Sequence, residues 1–260
     1  MIKKITTPSS FDVIGSIAIL PQEIKNAKLA AKTLLSKHKN IKTVMQKIEK
    51  VKGRLRKRKL KFLAGIKTYE TLHKESGCFM KLNVADCYFS PRLSNDRLVI
   101  AKKVKKDEKV LVLFAGVAPY ALVIAKLAKP AVVYCVEINR KAVKYAKENV
   151  ILNKLNNVVV LQGDVKKIIL KLKKIRFDRI VMPRPQLRET FLHEAFAAAK
   201  KGCIVHLYDF LREHEIPSAA LKHIDDGAKK AKRKIKILDW AKAGEIAPCK
   251  YRVRVDFIAN

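Results

Sequence analysis

The stretch VLVLFAGVAPYALVIAKLAKPAVVYCVEIN, residues 110–139, decides the fold. An apolar run at Val110–Ala115 is followed by a segment with helical apolar spacing and then by a second apolar run at Ala131–Glu137. Continuous β-branched runs that alternate with helices are typical of a parallel sheet covered on both faces. The stretch therefore predicts a strand–helix–strand unit whose two strands end at the same edge of a sheet.

The same alternation continues toward the C-terminus. Further strands are predicted at Val158–Leu161, Phe177–Met182 and Cys203–Tyr208, with helical segments between them. Two late segments, ILDW (residues 237–240) and YRVRVDFIA (residues 251–259), predict a closing strand pair. This order indicates an α/β fold of the Rossmann-like class I methyltransferase type, with a parallel sheet and a closing antiparallel strand.

The first 82 residues have a different pattern and predict a small basic α+β domain, followed by a second domain over residues 83–260. Residues 11–20 predict a strand, and residues 21–38 predict a helix opened by Pro21. Between Lys39 and Lys61 the chain holds eleven Lys or Arg and one Glu. Any single lysine there could be a solvated surface residue, but together they indicate a surface that follows phosphates.

The net charge points to a polyanionic partner. The chain has 57 Lys and Arg against 23 Asp and Glu, a formal charge of +34. Nucleic acid is the favoured partner, because neutralising phosphates releases counterions; a lysine-rich, thermophilic proteome is the alternative reading. The apolar run Val13–Leu20 is far below the roughly 18 residues of a membrane span. The five scattered cysteines indicate reduced thiols in a cytoplasmic protein and no metal site.

Three strand ends carry residues suited to a nucleotide-like ligand. Gly116 follows the first strand and would let the backbone approach a ligand closely. Glu137 ends the second strand, where an acid can accept hydrogen bonds from two ribose hydroxyls, and Asp164 follows the third, near an adenine amino group. Each acid could instead cap a helix. The chain has no P-loop and only one glycine in the first turn, which favours S-adenosylmethionine over a pyrophosphate cofactor.

Several stretches resemble the archaeal and eukaryotic tRNA (guanine-N1)-methyltransferases, which modify the guanosine 3′ to the anticodon, and their wyosine-pathway relatives. The stretches are FDVIGSIAIL, KGRLRKRKLKFLAG, YFSPRLSNDR, LFAGVAPY, VEINRKAVKYAKENVILNKL, FDRIVMPRP and CIVHLYDF. The resemblance implies methyl transfer from S-adenosylmethionine to N1 of guanosine 37 in tRNA. It also implies a chain that lacks the additional N-terminal domain of many archaeal members, and we expect a monomer.

The resemblance assigns roles to individual residues. Asp96, usually a Glu in the family, is implied as the general base for the guanine N1 proton. Arg56 is implied to stabilise the negative charge that develops on O6, a pairing that suits the chemistry because deprotonation of N1 moves charge onto O6. The cofactor-binding residues expected are Tyr88, Arg97, Phe114, Gly116, Glu137, Ile138, Asp164 and Val165. The substrate-binding residues expected are Arg92, Pro183, Arg184 and Pro185.

Some of these assignments have alternatives. Tyr88 could be a core aromatic, and Arg92 could fix its own loop. The sequence departs from the family at Val112, where Asp is frequent, at Ala118, where Gly is usual, and at Pro183, where an Asn would hold the guanine edge. These departures keep two other functions open: an aminocarboxypropyl transferase of the wyosine pathway on the same scaffold, and a non-catalytic basic RNA-binding protein.

Overall fold

The computed structural model describes residues 11–49, 55–187 and 189–260. The chain divides into two compact units, Met1–Ser94 and Asn95–Asn260. Tyr88 and Arg92 therefore belong to the first unit. The domain boundary predicted at residue 82 stays a prediction.

The first unit combines a four-stranded sheet, a helix and a hairpin. Its elements are β1 (Asp12–Ile14), β2 (Ile17–Leu20), α1 (Ala27–Lys37), β3 (Thr43–Lys47), β4 (Leu60–Gly65), β5 (Glu70–Glu75) and β6 (Cys78–Asn83). The sheet order is β1-β2-β3-β4, and only β2 and β3 pair in parallel, with α1 in the connection between them. The buried face of α1, with Ala31 and Leu34, packs against Leu20 and Val44 of this sheet.

Two predictions for this unit are wrong in detail. The predicted single strand at residues 11–20 is a hairpin, because Gly15 takes a left-handed φ of 55° between β1 and β2. The predicted helix does not open at Pro21 but at Ala27, after Asn26 in the left-handed region with a φ of 56°. Asparagine adopts this conformation more readily than most residues, so it turns the chain just before the helix.

The second unit is a seven-stranded sheet covered by helices. After α2 (Ser94–Lys103), whose first residue precedes the unit, it contains the following elements: β7 (Lys109–Leu113), α3 (Pro119–Ala128), β8 (Val132–Glu137), α4 (Arg140–Leu152), β9 (Val158–Gln162), α5 (Val165–Lys171), β10 (Phe177–Met182), α6 (Leu192–Ala198), β11 (Ala199–Arg212), α7 (Ser218–Lys230), β12 (Ile235–Ala247) and β13 (Lys250–Ala259). Short 3₁₀ turns lie at Pro91–Leu93 and Glu213–Glu215.

The strand order is β12-β13-β11-β10-β7-β8-β9. The five strands from β11 to β9 pair in parallel, and β13 lies antiparallel between β11 and β12. The predicted fold class, with its closing antiparallel strand, is confirmed. Because β8 lies on one side of β7 and β10 on the other, the order reverses at β7, which places the expected ligand crevice at the carboxyl ends of these strands.

The edge strand β12 is irregular. Its pairing with β13 shifts register between Ile237 and Asp239, between Lys242 and Gly244, and between Glu245 and Ala247. Large apolar side chains on this strand, among them Trp240, are exposed. β12 therefore lacks the continuous ladder that joins β13 to β11.

Candidate active site

The turn after β7 is built from unusual backbone conformations. Phe114, Gly116 and Ala118 have φ angles of 57°, 58° and 68°. Glycine adopts this region freely, whereas a Cβ adds strain, so Ala118 holds its conformation at a cost that a glycine would avoid. The buried Asn149 side chain donates to the Val117 carbonyl at 3.2 Å and helps to fix the turn.

Glu137 holds this turn from the end of β8. Its Oε2 accepts a hydrogen bond of 2.7 Å from the Gly116 N–H, and its Oε1 accepts one of 2.7 Å from the Asn139 N–H. Burial raises the pKa of Glu137, while these backbone N–H groups and that of Ile138 act in the opposite direction. A carboxylate can accept about four hydrogen bonds, so Glu137 keeps acceptor capacity for a ligand hydroxyl beside these backbone N–H groups.

The end of β9 carries a helix cap. Asp164 accepts a hydrogen bond of 2.9 Å from the Lys166 N–H and is the N-cap of α5. Val165 is buried as the first residue of that helix. Asp164 therefore caps a helix, which is the alternative that the sequence left open. A contact of Asp164 with adenine stays a prediction.

An aromatic pair lies beside the same turn. The rings of Phe114 and Phe191 meet edge to face, with centroids 4.9 Å apart. Phe191 also has a left-handed φ, of 57°. Sequence reasoning missed Phe191, and no local pattern marks it, because its contact with Phe114 depends on the tertiary fold.

Asp96 joins four elements of the second unit. Its Oδ2 accepts hydrogen bonds from the Tyr120 hydroxyl, at 2.5 Å, and from the Tyr208 hydroxyl, and its Oδ1 accepts one of 2.6 Å from Arg254 Nη1. Asp96 is 7% exposed. Burial raises the pKa of both tyrosines, so their hydroxyls stay protonated and donate to Asp96. Sequence reasoning missed all three donors.

A buried polar chain continues from Arg254. Asp256 accepts from Arg254 Nε at 3.0 Å, from Lys103 Nζ at 2.5 Å and from His206 Nδ1 at 2.7 Å. Arg179 donates to His206 Nε2 at 2.8 Å. Because arginine can only donate, His206 Nε2 is the acceptor, and the neutral ring carries its proton on Nδ1.

The pKa values agree with this assignment. Burial lowers the pKa of His206, which keeps the ring neutral. Burial by itself would raise the pKa of Asp256, but hydrogen bonds from His206 and Lys103 and the charge of Arg254 hold it well below its ordinary value. Asp256 is therefore an ionised carboxylate that compensates Lys103 and Arg254.

Arg97, a predicted cofactor contact, is 1% exposed, and its guanidinium lies 5.9 Å from the centroid of the Tyr120 ring. It is thus held within the second unit. Its contact with a cofactor stays a prediction.

The segment after β10 is a sharp turn at Pro183, in which the Arg184 N–H donates to the Met182 carbonyl at 2.7 Å. Proline lacks an N–H, so Pro183 offers neither a backbone donor nor a side-chain amide. Pro185 follows at the same sheet edge.

Arg184 is buried and directs its guanidinium into the protein. Nη2 donates to Asp209 Oδ1 at 2.5 Å, Nε to the Tyr208 carbonyl at 2.9 Å, and Nη1 to the carbonyls of Leu187 and Glu189 at 2.8 and 3.2 Å. Asp209 also binds His223 Nδ1 at 2.7 Å. A substrate contact by Arg184 stays a prediction, and the observed contacts fix the turn in which Arg184 lies.

The first unit brings together two residues predicted for different roles. The Arg56 guanidinium lies 4.1 Å from the centroid of the Tyr88 ring, a cation–π contact. Arg92 is largely exposed, and its Nε donates to Asp12 Oδ1 at 2.8 Å, which agrees with the reading that Arg92 fixes its loop. Arg56 lies in the first unit and Asp96 in the second.

The strand order, with β13 antiparallel between β11 and β12, is that of a class I methyltransferase, and Glu137 lies at the sheet edge where such folds bind their ligands. The comparisons with known proteins give the family. Residues 71–238 match the TRM5/TYW2 methyltransferase domain, and residues 3–68 match the TYW2 N-terminal domain. The chain belongs to the TRM5/TYW2 methyltransferase family, whose cofactor is S-adenosylmethionine. The predictions of family, enzyme class and cofactor are confirmed.

Three relatives indicate the range of activities in this family. The tRNA (guanine(37)-N(1))-methyltransferase Trm5b of Pyrococcus abyssi is 38% identical over 96% of this chain and 74% of its own length. The tRNA (guanine(37)-N(1))/4-demethylwyosine(37)-methyltransferase Taw22 of Nanoarchaeum equitans is 34% identical, over 95% of this chain and 98% of its own. A tRNA(Phe) (4-demethylwyosine(37)-C(7)) aminocarboxypropyltransferase of Methanocaldococcus jannaschii is 29% identical, over 95% and 96%.

Solved structures agree. Trm5b from Pyrococcus abyssi superposes with a TM-score of 0.87 at 36% identity, covering 97% of this chain and 76% of that one. A complex of aTrm5 with tRNALeu gives 0.84 at 29% identity, covering 97% and 72%. TYW2 of Pyrococcus horikoshii with MeSAdo gives 0.82 at 26% identity, covering 97% and 91%.

Two further observations concern partners. Across the described ranges, none of the helices has the length and apolar character that a membrane crossing requires. Within the same residues, no group of three or more His, Cys, Asp or Glu side chains is placed to hold a metal ion.

Proposed function

We propose that this chain transfers a methyl group from S-adenosylmethionine to N1 of guanosine 37 in tRNA. The observation that carries the proposal is the clamp of Glu137 on the Gly116 turn, in a chain 38% identical to an N1-methyltransferase. We also propose that the protein acts as a monomer in the cytoplasm of an archaeon.

Residues of the second unit suit the cofactor. Glu137 retains acceptor capacity for a ribose hydroxyl, and the backbone at Gly116, free of a Cβ, allows close approach. Asp164 and Val165 would bound the adenine, with Phe114 and Ile138 beside it. When bound, S-adenosylmethionine supplies an electrophilic methyl group, so the protein mainly aligns the reactants and handles the proton.

We assign Asp96 as the general base that accepts the proton from guanine N1. Oδ2 already accepts hydrogen bonds from Tyr120 and Tyr208, whereas Oδ1 accepts one from Arg254. Oδ1 is therefore the atom that we assign to receive the proton. We assign Arg56 to stabilise the negative charge that then develops on O6, because a guanidinium stabilises an oxyanion by charge-assisted hydrogen bonds.

The turn at Pro183–Pro185 would border the target base. Arg184 is assigned a positioning role, because its guanidinium ties the Leu187 and Glu189 carbonyls to Asp209. A rigid turn there would shape the base pocket without contributing a side-chain amide.

A cationic face on α4 supports tRNA as the partner. A cavity of about 420 Å³ lies along this helix, and its lining consists of Arg140, Lys141, Val143, Lys144, Lys147 and Gln162. Arg140, Lys144 and Lys147 are exposed and lie on one helical face. Gln162 is the last residue of β9, so the cavity reaches the carboxyl edge. Cations without a lining acid suit a phosphate backbone.

A second candidate function is methylation of 4-demethylwyosine at position 37. The Nanoarchaeum equitans relative is named for methylation of both guanine 37 and 4-demethylwyosine 37, and this chain covers 98% of its length. Pro183 lacks the amide that would hold a guanine edge, which favours a base with fewer edge hydrogen bonds.

The experiment is methyl transfer from labelled S-adenosylmethionine to an unmodified tRNA transcript, followed by mass spectrometry of the nucleosides. We expect N1-methylguanosine from a transcript with G37 and none from a matched transcript with A37. Methylation only of tRNA that carries 4-demethylwyosine would establish the second candidate instead. An aminocarboxypropyl mass increment, or no transfer to either tRNA, would overturn the proposal.

A further inference from the structure

Arg58 is a half-buried arginine that sequence reasoning did not select. Its backbone N–H donates to the Ala85 carbonyl at 2.9 Å, and Nη2 donates to the Phe89 carbonyl at 2.7 Å. Nε and Nη1 are buried and have no hydrogen-bond partner among the described residues. Two donors of one charged group are thus left without an acceptor, which is costly inside a protein.

The charge around Arg58 is also poorly compensated. Burial lowers the pKa of Arg58, and the neighbouring charge of Arg56 lowers it further, while Tyr88 and Asp12 act in the opposite direction. Asp12 already binds Lys47 at 2.9 Å and Arg92 at 2.8 Å. One carboxylate therefore serves several cations.

Tyr88 links the two arginines. The guanidinium carbons of Arg56 and Arg58 lie 4.1 and 5.0 Å from the centroid of its ring. A ring face attracts a cation but offers no oxygen acceptor to Nε or Nη1. The arrangement orients the Arg58 guanidinium without satisfying it.

We propose that Arg58 binds a phosphate oxygen of the RNA substrate. An oxyanion is the chemistry that completes a guanidinium, and it could come from an RNA phosphate or from the carboxylate of the methyl donor. The RNA is favoured because Lys47, Arg56 and Arg92 surround the same region with cations that suit a polyanion. The inference rests on tRNA being the substrate, as proposed above.

The phosphate needs access to covered atoms. Nε and Nη1 lie beneath neighbouring side chains, so binding requires one of these to move. Arg56 is only partly buried and shares the Tyr88 ring with Arg58, so it is the side chain that we expect to shift.

The test compares Arg58→Gln with Lys67→Gln in the full chain. Lys67 is an exposed lysine of the first unit that lies outside the basic run of residues 39–61, and its substitution removes the same charge. We expect Arg58→Gln to weaken tRNA binding roughly 10- to 100-fold, the range of a lost charge-assisted hydrogen bond. Its slope of log K against log salt should be shallower by about 0.9, as for one phosphate contact. Lys67→Gln should bind tRNA within about twofold of the wild type, since it loses no buried donor.

Two further measurements distinguish a ligand role from a structural one. We expect Arg58→Gln to leave the melting temperature of the free protein nearly unchanged, because the removal of two unpaired donors offsets the lost Nη2 hydrogen bond to the Phe89 carbonyl. We also expect donor affinity by calorimetry to stay unchanged. Equal tRNA losses in both variants would overturn the inference as a general charge effect. A parallel loss of stability, or a loss of donor affinity with normal tRNA binding, would overturn it as well.

The readout is binding, so it separates this inference from the proposed activity. If the wild type shows no methyl transfer but Arg58→Gln weakens tRNA binding, only the proposed function is contradicted. If the wild type transfers the methyl group and Arg58→Gln binds tRNA normally, only the proposed role of Arg58 is contradicted.

Discussion

The Tyr120 hydroxyl and Asp96 Oδ2 lie 2.5 Å apart in the buried interior of the second unit. Because burial raises the pKa of Tyr120, the hydroxyl keeps its proton and serves as a permanent donor. We expect Tyr120→Phe to lower the free energy of unfolding by about 1 kcal/mol, the contribution of one hydrogen bond. Single-turnover methyl transfer should fall roughly tenfold, because Asp96 loses one of its orienting contacts. An unchanged rate would show that this contact does not orient the base.

Asp96→Asn keeps the shape of the side chain but removes the base. We expect single-turnover transfer to fall at least about 100-fold, while donor affinity by calorimetry stays within about threefold. Asp178→Asn is the control, because Asp178 also pairs with a cation, Lys200, but lies at the amino-terminal end of β10. If both variants retain normal turnover, Asp96 is not the base.

Glu137→Gln should weaken cofactor binding. A glutamine has one acceptor oxygen, so its NH₂ group would face the N–H of either Gly116 or Asn139. We expect donor affinity to fall roughly 10- to 100-fold, with a loss of about 1–2 kcal/mol in unfolding free energy. Equilibrium dialysis with labelled donor gives the affinity, and wild-type affinity would contradict the assigned ribose contact.

The buried Asp256 carboxylate makes stability depend on acid pH. The pKa of Asp256 is lower in the folded than in the unfolded chain. Asp256 therefore stabilises the fold fully at pH values above the ordinary Asp pKa of about 4. This stabilisation is lost as the pH falls from there toward the folded-state pKa. Urea unfolding between about pH 2 and pH 5 should show the decline.

Asp256→Asn should flatten that decline. At neutral pH it should also cost about 3 kcal/mol, because Lys103 and Arg254 lose a buried counter-charge. A variant with an unchanged acid profile would assign the decline to other carboxylates.

Arg184→Leu should destabilise the turn after β10. It leaves the Asp209 carboxylate buried with His223 as its remaining ionisable partner, so we expect a loss of about 3 kcal/mol. The double variant Arg184→Leu/Asp209→Asn should recover part of this loss, because the two residues form one interaction. Strict additivity in denaturant unfolding would argue against the pairing.

The sequence predicts the parallel sheet well, because its strands are continuous apolar runs. Phe177–Met182 is observed with the predicted bounds, whereas Cys203–Tyr208 is the centre of the longer strand Ala199–Arg212. The C-terminal part of the extension, residues 209–212, pairs with β13, so its length depends on a partner about 40 residues later. Local pattern could not reveal it.

The candidate site is predicted unevenly for a related reason. The link between Gly116 and Glu137 follows from strand ends that meet at one edge, which a sequence pattern can indicate. The inward direction of Arg184 depends on Asp209, 25 residues away, and the donors to Asp96 come from as far as Arg254. Side-chain direction of this kind is set by tertiary packing, so it could not be predicted.

The irregular pairing of β12 affects how copies of this protein meet in a crowded cell. A 13-residue strand on an open edge, with Trp240 exposed, would ordinarily be a template for β-addition and fibrous aggregation. Because the register shifts three times, the longest regular run on β12 is Asp239–Lys242. An incoming strand would meet a bent, interrupted ladder flanked by lysine charge. The irregular edge therefore disfavours strand pairing between two copies, although its exposed apolar side chains favour such pairing.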